Sequence, residues 1–144
     1  MDYDITIRKA TKEDLVQIKF LADLERKSLG FITRATILQS IEKQELIVAE
    51  KDNQVIGFQM YHHRIDHQTT LYKKTVQKAY RRLGIGRKLE TFVLNEAKLM
   101  GQTIVRLKCP VDNESNHFHV AMGFDLVGIE KKPKRDLCLY EKSI

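Results

Sequence analysis

Two glycines stand inside the run Arg81-Arg82-Leu83-Gly84-Ile85-Gly86-Arg87-Lys88. Glycine lets a backbone come close to a ligand and turn successive N–H groups toward it. A helix that starts at such a turn adds unpaired donors and about half a positive charge, which suits a phosphate or pyrophosphate. Formal charge gathers in the same place. No acidic residue occurs between Asp66 and Glu90, whereas Lys73, Lys74, Lys78, Arg81, Arg82, Arg87 and Lys88 all do. The chain has 25 basic and 19 acidic residues, net +6; setting those seven aside leaves 18 against 19, or −1. Such a stretch expects an anion: the phosphate of a small ligand, a nucleic acid or a membrane surface. On charge alone, a solvated basic face with no ligand remains the alternative.

Other residues have chemistry to offer. An ordinary imidazole titrates near ~6.5, so His119 could donate or relay a proton. Asp66, His62, His63, His67 and Tyr72 gather around one turn and are candidates for a base. Adjacent residues of a strand face opposite ways, so only one of His62 and His63 serves a given side. The same holds for Lys73 and Lys74, one of which would bias an acceptor site toward an anionic substrate. Cys109 and Cys138 are too few for a disulfide scaffold and lack zinc spacing; they read as two buried thiols of a reducing cytoplasm.

These groups need elements to hold them. Ile5, Ile7 and Ala10 alternate with polar neighbours as a short strand over 4–10. Thr11 then caps a helix, with Asp14 in the place of a capping-box acid, and Leu15, Ile18 and Ala22 form a face that Leu21 and Leu24 widen. After Gly30, Thr33 is a second N-cap, with Ile32 and Ile37 spaced as a hydrophobic staple. Strands follow over 45–50, 55–65 and 69–76, separated by Asp52-Asn53 and Asp66-His67-Gln68. From Ile85 the spacing Leu89, Phe92, Val93, Ala97, Met100 is helical, and Gly101 stops it. A strand over 103–107, a helix over 113–122 and strands over 124–129 and 137–140 complete the order β-α-α-β-β-β-α-β-α-β-β. This is a mixed α/β chain, read as one domain over 1–144.

Composition narrows the class further. Hydrophobic content of 42% with only 2 prolines opposes disorder. No apolar run approaches the ~18–20 residues that span a bilayer. The opening Met-Asp-Tyr-Asp-Ile lacks a basic region before an apolar one, so no signal peptide is expected.

The glycine turn matches neither of the commoner phosphate loops, since Gly-x-x-x-x-Gly-Lys-Ser/Thr and Gly-x-Gly-x-x-Gly are both absent. It resembles the acetyl-CoA loop of the Gcn5-related N-acetyltransferases, Gln/Arg-x-x-Gly-x-Gly/Ala, as Arg81-x-x-Gly84-x-Gly86 led by Val76-Gln-Lys-Ala-Tyr80. The run Phe118-His-Val-Ala-Met-Gly-Phe124 is similar to that family's Phe-Tyr-Glu-Lys-Leu-Gly-Phe, and the likeness extends from about Ile5 to Tyr140.

The resemblance implies a mostly antiparallel central sheet flanked by helices and a cytoplasmic N-acetyltransferase that takes acetyl-CoA. The acceptor would be the amine of a small molecule or peptide. Thr75 and Val76 would offer backbone groups to the pantetheine arm. Arg81, Arg82, Leu83, Gly84, Ile85 and Gly86 would wrap the pyrophosphate, with Arg87 and Lys88 in reach of phosphate oxygens. Asn113 lies one residue beyond the family's usual asparagine near the cofactor arm; an N-cap for the following helix is the competing role. His119 stands where the family often has the tyrosine that protonates the leaving sulfur, and the central strand Leu71–Val76 lacks the carboxylate many relatives use as a base. Those departures keep open an acyl-CoA-binding relative with weak or no catalysis. A basic nucleic-acid module is the more distant alternative, disfavoured by the absence of a helix-turn-helix, a zinc pattern or a stacking platform, so neither nucleic acid nor membrane is expected as a partner. The last strands would either close the sheet in a monomer or pair with a second copy in a homodimer.

Overall fold

The computed structural model describes residues 4–144; the opening Met-Asp-Tyr, on which the expectation of no signal peptide rests, lies outside the described residues. Among the described residues, strands β1 (Thr6–Lys9), β2 (Leu46–Lys51), β3 (Gln54–His63), β4 (Gln68–Val76), β5 (Ile104–Pro110), β6 (Asp125–Glu130) and β7 (Leu137–Ser143) form one sheet in the order β1-β2-β3-β4-β5-β7-β6. Helices α1 (Leu15–Leu24), α2 (Arg26–Leu29), α3 (Arg34–Glu42), α4 (Ile85–Leu99) and α5 (Ser115–Ala121) complete the mixed α/β fold. The sheet is mostly antiparallel; β4 and β5 pair in parallel, Gln68↔Ile104 to Thr70↔Arg106. Among the described residues no helix is long and apolar enough to cross a membrane. The chain divides into two compact units, residues 1–61 with 73–93 and residues 62–72 with 94–144.

In the first unit, Ile18, Leu21 and Ala22 of α1 and Ile37 and Ile41 of α3 are buried with Leu46, Val48, Phe58 and Met60 of the sheet. The β2–β3 hairpin turns at Asp52 and Asn53, both at positive φ (50° and 64°). A tight hairpin turn needs that conformation, and Asp and Asn tolerate it best after glycine. Thr33 caps α3 as its sequence position implies, its Oγ1 accepting the Thr36 N–H at 3.1 Å. Leu24 departs from expectation: it is 59% exposed, lying outside the face that Ile18, Leu21 and Ala22 bury.

The start of α1 is held by charge. The Asp14 carboxylate accepts the Thr11 N–H at 2.7 Å, the reach-back half of a capping box, and a two-pronged bond from Arg8 at 2.8 and 2.9 Å. Arg8 also donates to Glu50 at 3.1 Å, joining β1, α1 and β2. Burial pushes the Asp14 carboxyl up, but hydrogen bonds from Arg8 and Thr11 outweigh it and hold the group below the ordinary aspartate value. A depressed carboxyl stabilises the fold above its unfolded pKa of ~3.9, and that contribution is lost as pH falls through the folded value. Asp14→Asn should therefore lower stability by about 2 kcal/mol at pH 7. The gap to the parent should narrow below pH ~4, read from urea midpoints at pH 7 and pH 3.

In the second unit β5 lies beside β7, with Leu107 opposite Tyr140 and Cys109 opposite Cys138. Both cysteines are buried, and neither forms a disulfide. Burial pushes the Tyr140 hydroxyl up, with the two cysteines adding to the shift, and that hydroxyl donates to Asn116 Oδ1 at 2.7 Å. Gly101 ends α4 at φ 82° and Gly123 ends α5 at φ 92°, the left-handed stop that favours glycine.

Candidate functional site

The glycine turn joins β4 to α4. After Val76 the chain makes a short turn, with Gln77 N–H on Ile56 O at 2.6 Å and Tyr80 N–H on Gln77 O at 2.8 Å. Arg82 (φ 66°) and Gly84 (φ 81°) are both left-handed. The first intrahelical bond of α4 runs from Lys88 N–H to Gly84 O at 3.0 Å. The N–H groups of Ile85, Gly86 and Arg87 therefore come before any acceptor of their own helix. A Cβ built on Gly84 meets nothing within 4 Å, so the space beside the turn is open. Arg82, Leu83, Gly84, Arg87 and Lys88 are exposed, while the Ile85 side chain is buried with Leu89 and Val93. Arg81 to Arg87 thus share one turn, and Ile85 has only its backbone to offer a ligand. An open glycine, free helix donors and exposed cations fit a pyrophosphate.

Two of the seven cations are spoken for. Arg81 sends Nε back to Val76 O at 2.8 Å, and its Nη2 pairs with the Glu25 carboxylate. Lys74 turns inward, its Nζ 3.5 Å from Oε1 of Glu90, which is fully buried on α4. The expectation that Lys73 or Lys74 faces an acceptor is left to Lys73, which is exposed.

Thr75 and Val76 end β4 against Gly57 of β3. A Cβ on Gly57 would lie 2.9 Å from Thr75 O and 3.4 Å from the Val76 Cα, so only glycine allows the two strands to come this close. Beside them opens a cavity of about 520 Å³, lined by Leu21, Leu24, Glu25, Thr75, Gln77 and Arg81 among others. Sequence reasoning passed over Glu25 and Gly57. An isolated glycine in a strand was a usable signal for close approach. Nothing local marks Glu25, since no glycine or proline shows that α1 stops there.

The second unit holds the remaining candidates. Asn113 Oδ1 accepts the Ser115 N–H at 2.8 Å, an Asx turn one residue before Glu114, the N-cap of α5, so its carbonyl oxygen serves the approach to that helix without being its N-cap. His119 is buried on α5, its ring 5.6 to 6.2 Å from those of Phe118, Tyr140 and Phe124. Among the candidate bases, His63 bridges Thr69 Oγ1 (2.8 Å) and Glu96 Oε2 (2.7 Å) with its side chain 7% exposed, which fits a structural tie. Asp66 pairs with Arg64 at 2.8 Å, and Tyr72 is exposed on β4.

Comparison with known proteins bears on the family and the fold. The model of the GNAT acetyltransferase family matches residues 13–124. A search of curated protein sequences finds no match. Among solved structures, Ard1 from Thermoplasma volcanium superposes with a TM-score of 0.87 at 19% identity, covering 97% of each chain. The ribosomal-protein-alanine N-acetyltransferase from Brucella melitensis gives 0.82 at 25% identity, over 96% of this chain and 99% of its own. The PaiA N-acetyltransferase from Thermoplasma acidophilum, solved in complex with coenzyme A, gives 0.82 at 21% identity over 98% and 99%.

Proposed function

We propose that this chain, which belongs to the GNAT acetyltransferase family, moves an acetyl group from acetyl-CoA to a primary amine of a small molecule or peptide by direct transfer. The observation that carries this reading is the Gly84 turn, with open space at its Cβ and three helix N–H groups beside exposed Arg82, Arg87 and Lys88. Acetyl-CoA, when bound, supplies an activated thioester carbon for the amine to attack.

The chain's own part is to bind and orient. Backbone N–H groups from Arg82 to Arg87 hold the pyrophosphate, with the side chains of Arg82, Arg87 and Lys88 adding charge. Backbone groups of Thr75 and Val76, pressed against Gly57, fix the arm that follows. Holding the two reactants together supplies much of the rate, and a backbone N–H near Val76 stabilises charge that develops on the thioester oxygen. His119 supplies the proton that the departing thiolate takes up. That role predicts a specific outcome: His119→Gln should lower kcat by about 10²-fold with KM for acetyl-CoA unchanged. Equal turnover would leave the ring structural.

The enclosure of His119 by three aromatic rings favours a second reading, a coenzyme A-binding protein without turnover. Calorimetric titration with coenzyme A, followed by thiol release from acetyl-CoA over a panel of amines and peptides, tests both. Saturable binding with thiol release supports the transferase; binding without release supports the second reading. No binding overturns both.

A further inference from the structure

The cavity beside Thr75 has an unusual wall. Leu21, Leu24 and Ala79 are apolar, Thr75 and Gln77 are neutral, Lys78 and Arg81 are basic, and Glu25 is the one carboxylate among its lining residues. That carboxylate is satisfied by Arg81, whose guanidinium comes from the head of the glycine turn. The two side chains are 42% and 32% exposed, so the pair is solvent-screened and readily exchanged. Glu25 is the C-cap of α1, with a backbone that is neither helix nor strand (φ −106°, ψ 24°), and lines the cavity. From there an apolar stripe runs outward along α1. Leu24, Phe20 and Val16 are spaced four residues apart and are 59%, 62% and 67% exposed. At 1.5 Å per residue that stripe is about 12 Å long.

We propose that Glu25 is the acceptor-binding carboxylate, receiving the ammonium of an amine whose apolar chain lies along Leu24, Phe20 and Val16. Arg81 occupies Glu25 while the site is empty and gives it up when a phosphate of the coenzyme draws the guanidinium away. The inference rests on the acetyl-CoA reading, because it is the coenzyme that frees the carboxylate. The substrate class follows from the surroundings. One carboxylate neutralises one ammonium, and apolar walls hold a hydrocarbon chain. Lys78 in the cavity wall, with Lys12, Arg26 and Lys27 beside α1 and α2, repels a second positive charge, so a monoamine is favoured over a polyamine.

The test is calorimetric titration of hexylamine, hexan-1-ol and spermidine into the full-length protein, each with and without saturating coenzyme A. The parent, Glu25→Gln and Arg81→Met are compared. With coenzyme A present the parent should bind hexylamine at least tenfold tighter than hexan-1-ol and at least fivefold tighter than spermidine. Coenzyme A should strengthen hexylamine binding at least fivefold. Glu25→Gln should bind hexylamine and hexan-1-ol equally while binding coenzyme A severalfold tighter than the parent, because Arg81 is then free for the phosphate. Arg81→Met should bind hexylamine tightly even without coenzyme A. An unchanged hexylamine preference in Glu25→Gln overturns the carboxylate's role. Hexylamine binding indifferent to coenzyme A in a parent that binds coenzyme A overturns the exchange. A parent that binds no coenzyme A overturns the acetyl-CoA reading instead, and hexylamine binding by Arg81→Met then decides the role of Glu25 by itself.

Discussion

Gly84→Glu and Gly86→Glu are expected to abolish coenzyme A binding in a protein that still folds. At position 84 the backbone is left-handed, φ 81°, which costs an L residue roughly 1 kcal/mol. The added Cβ itself has room, with nothing within 4 Å. At position 86 a glutamate falls in the first turn of α4, where negative charge favours the helix. At position 84 the change threatens no core contact. What each does is place a carboxylate among the donors meant for a pyrophosphate. Two like charges ~4 Å apart in a partly screened site repel by about 4 kcal/mol, which weakens binding roughly a thousandfold. Gly84→Ala separates charge from conformation. It should lose about 1 kcal/mol of stability and less than tenfold in affinity. Calorimetry with coenzyme A reads all three. Normal affinity in both glutamate variants would move the coenzyme away from this turn, whatever the family likeness implies.

That expectation was legible in the sequence because every part of it is local. A strand end, two glycines, a run of cations and a periodic helix stand within 25 residues, from Thr75 to Leu99. The same is true of Thr33, of Asp14 reaching back to Thr11, and of the Asp52-Asn53 turn, each a matter of spacing along the chain. What could not be read is what distant segments do to one another. α2 is four residues long, too short for a period to show, and its presence moves the end of α1 and with it Glu25. The Arg81–Glu25 pair joins residues 56 apart in sequence. Counting charge along the chain treated the stretch from Lys73 to Lys88 as one basic surface. Folding divides it: Arg82, Arg87 and Lys88 stay around the turn, Arg81 is lent to α1, and Lys74 goes inside. Asn113 and His119 show the same limit at the site itself. Their residue types announced chemistry, while their surroundings, a helix start and three aromatic rings, are tertiary facts.

Lys74→Met is the sharpest test of that division. Glu90, the acid that closes the basic stretch in sequence, is fully buried, and the Lys74 ammonium lies 3.5 Å from it with a fifth of its own side chain exposed. Bringing a carboxylate out of water is expensive, and a nearby cation offsets only part of the expense. Methionine keeps the length of the lysine stem and removes the charge, so the carboxylate stays buried with a partner lost. The expected loss is roughly 3 kcal/mol, a large share of the 5–15 kcal/mol by which domains of this kind are usually stable. Replacing both residues, Lys74→Met with Glu90→Leu, should recover most of it, because apolar groups of similar volume pack without a desolvation penalty. Urea midpoints at pH 7 measure the single and double variants side by side. A double variant no more stable than the single one would mean that Glu90 is held by something other than this charge. Coenzyme A affinity adds the functional half. If Lys74 belongs to the core, the double variant binds coenzyme A within twofold of the parent, while Arg82→Ala weakens it by about tenfold as one charge-assisted phosphate contact is lost. The seven cations then separate by where their charges end up, with Lys74 serving the fold and Arg82 the ligand.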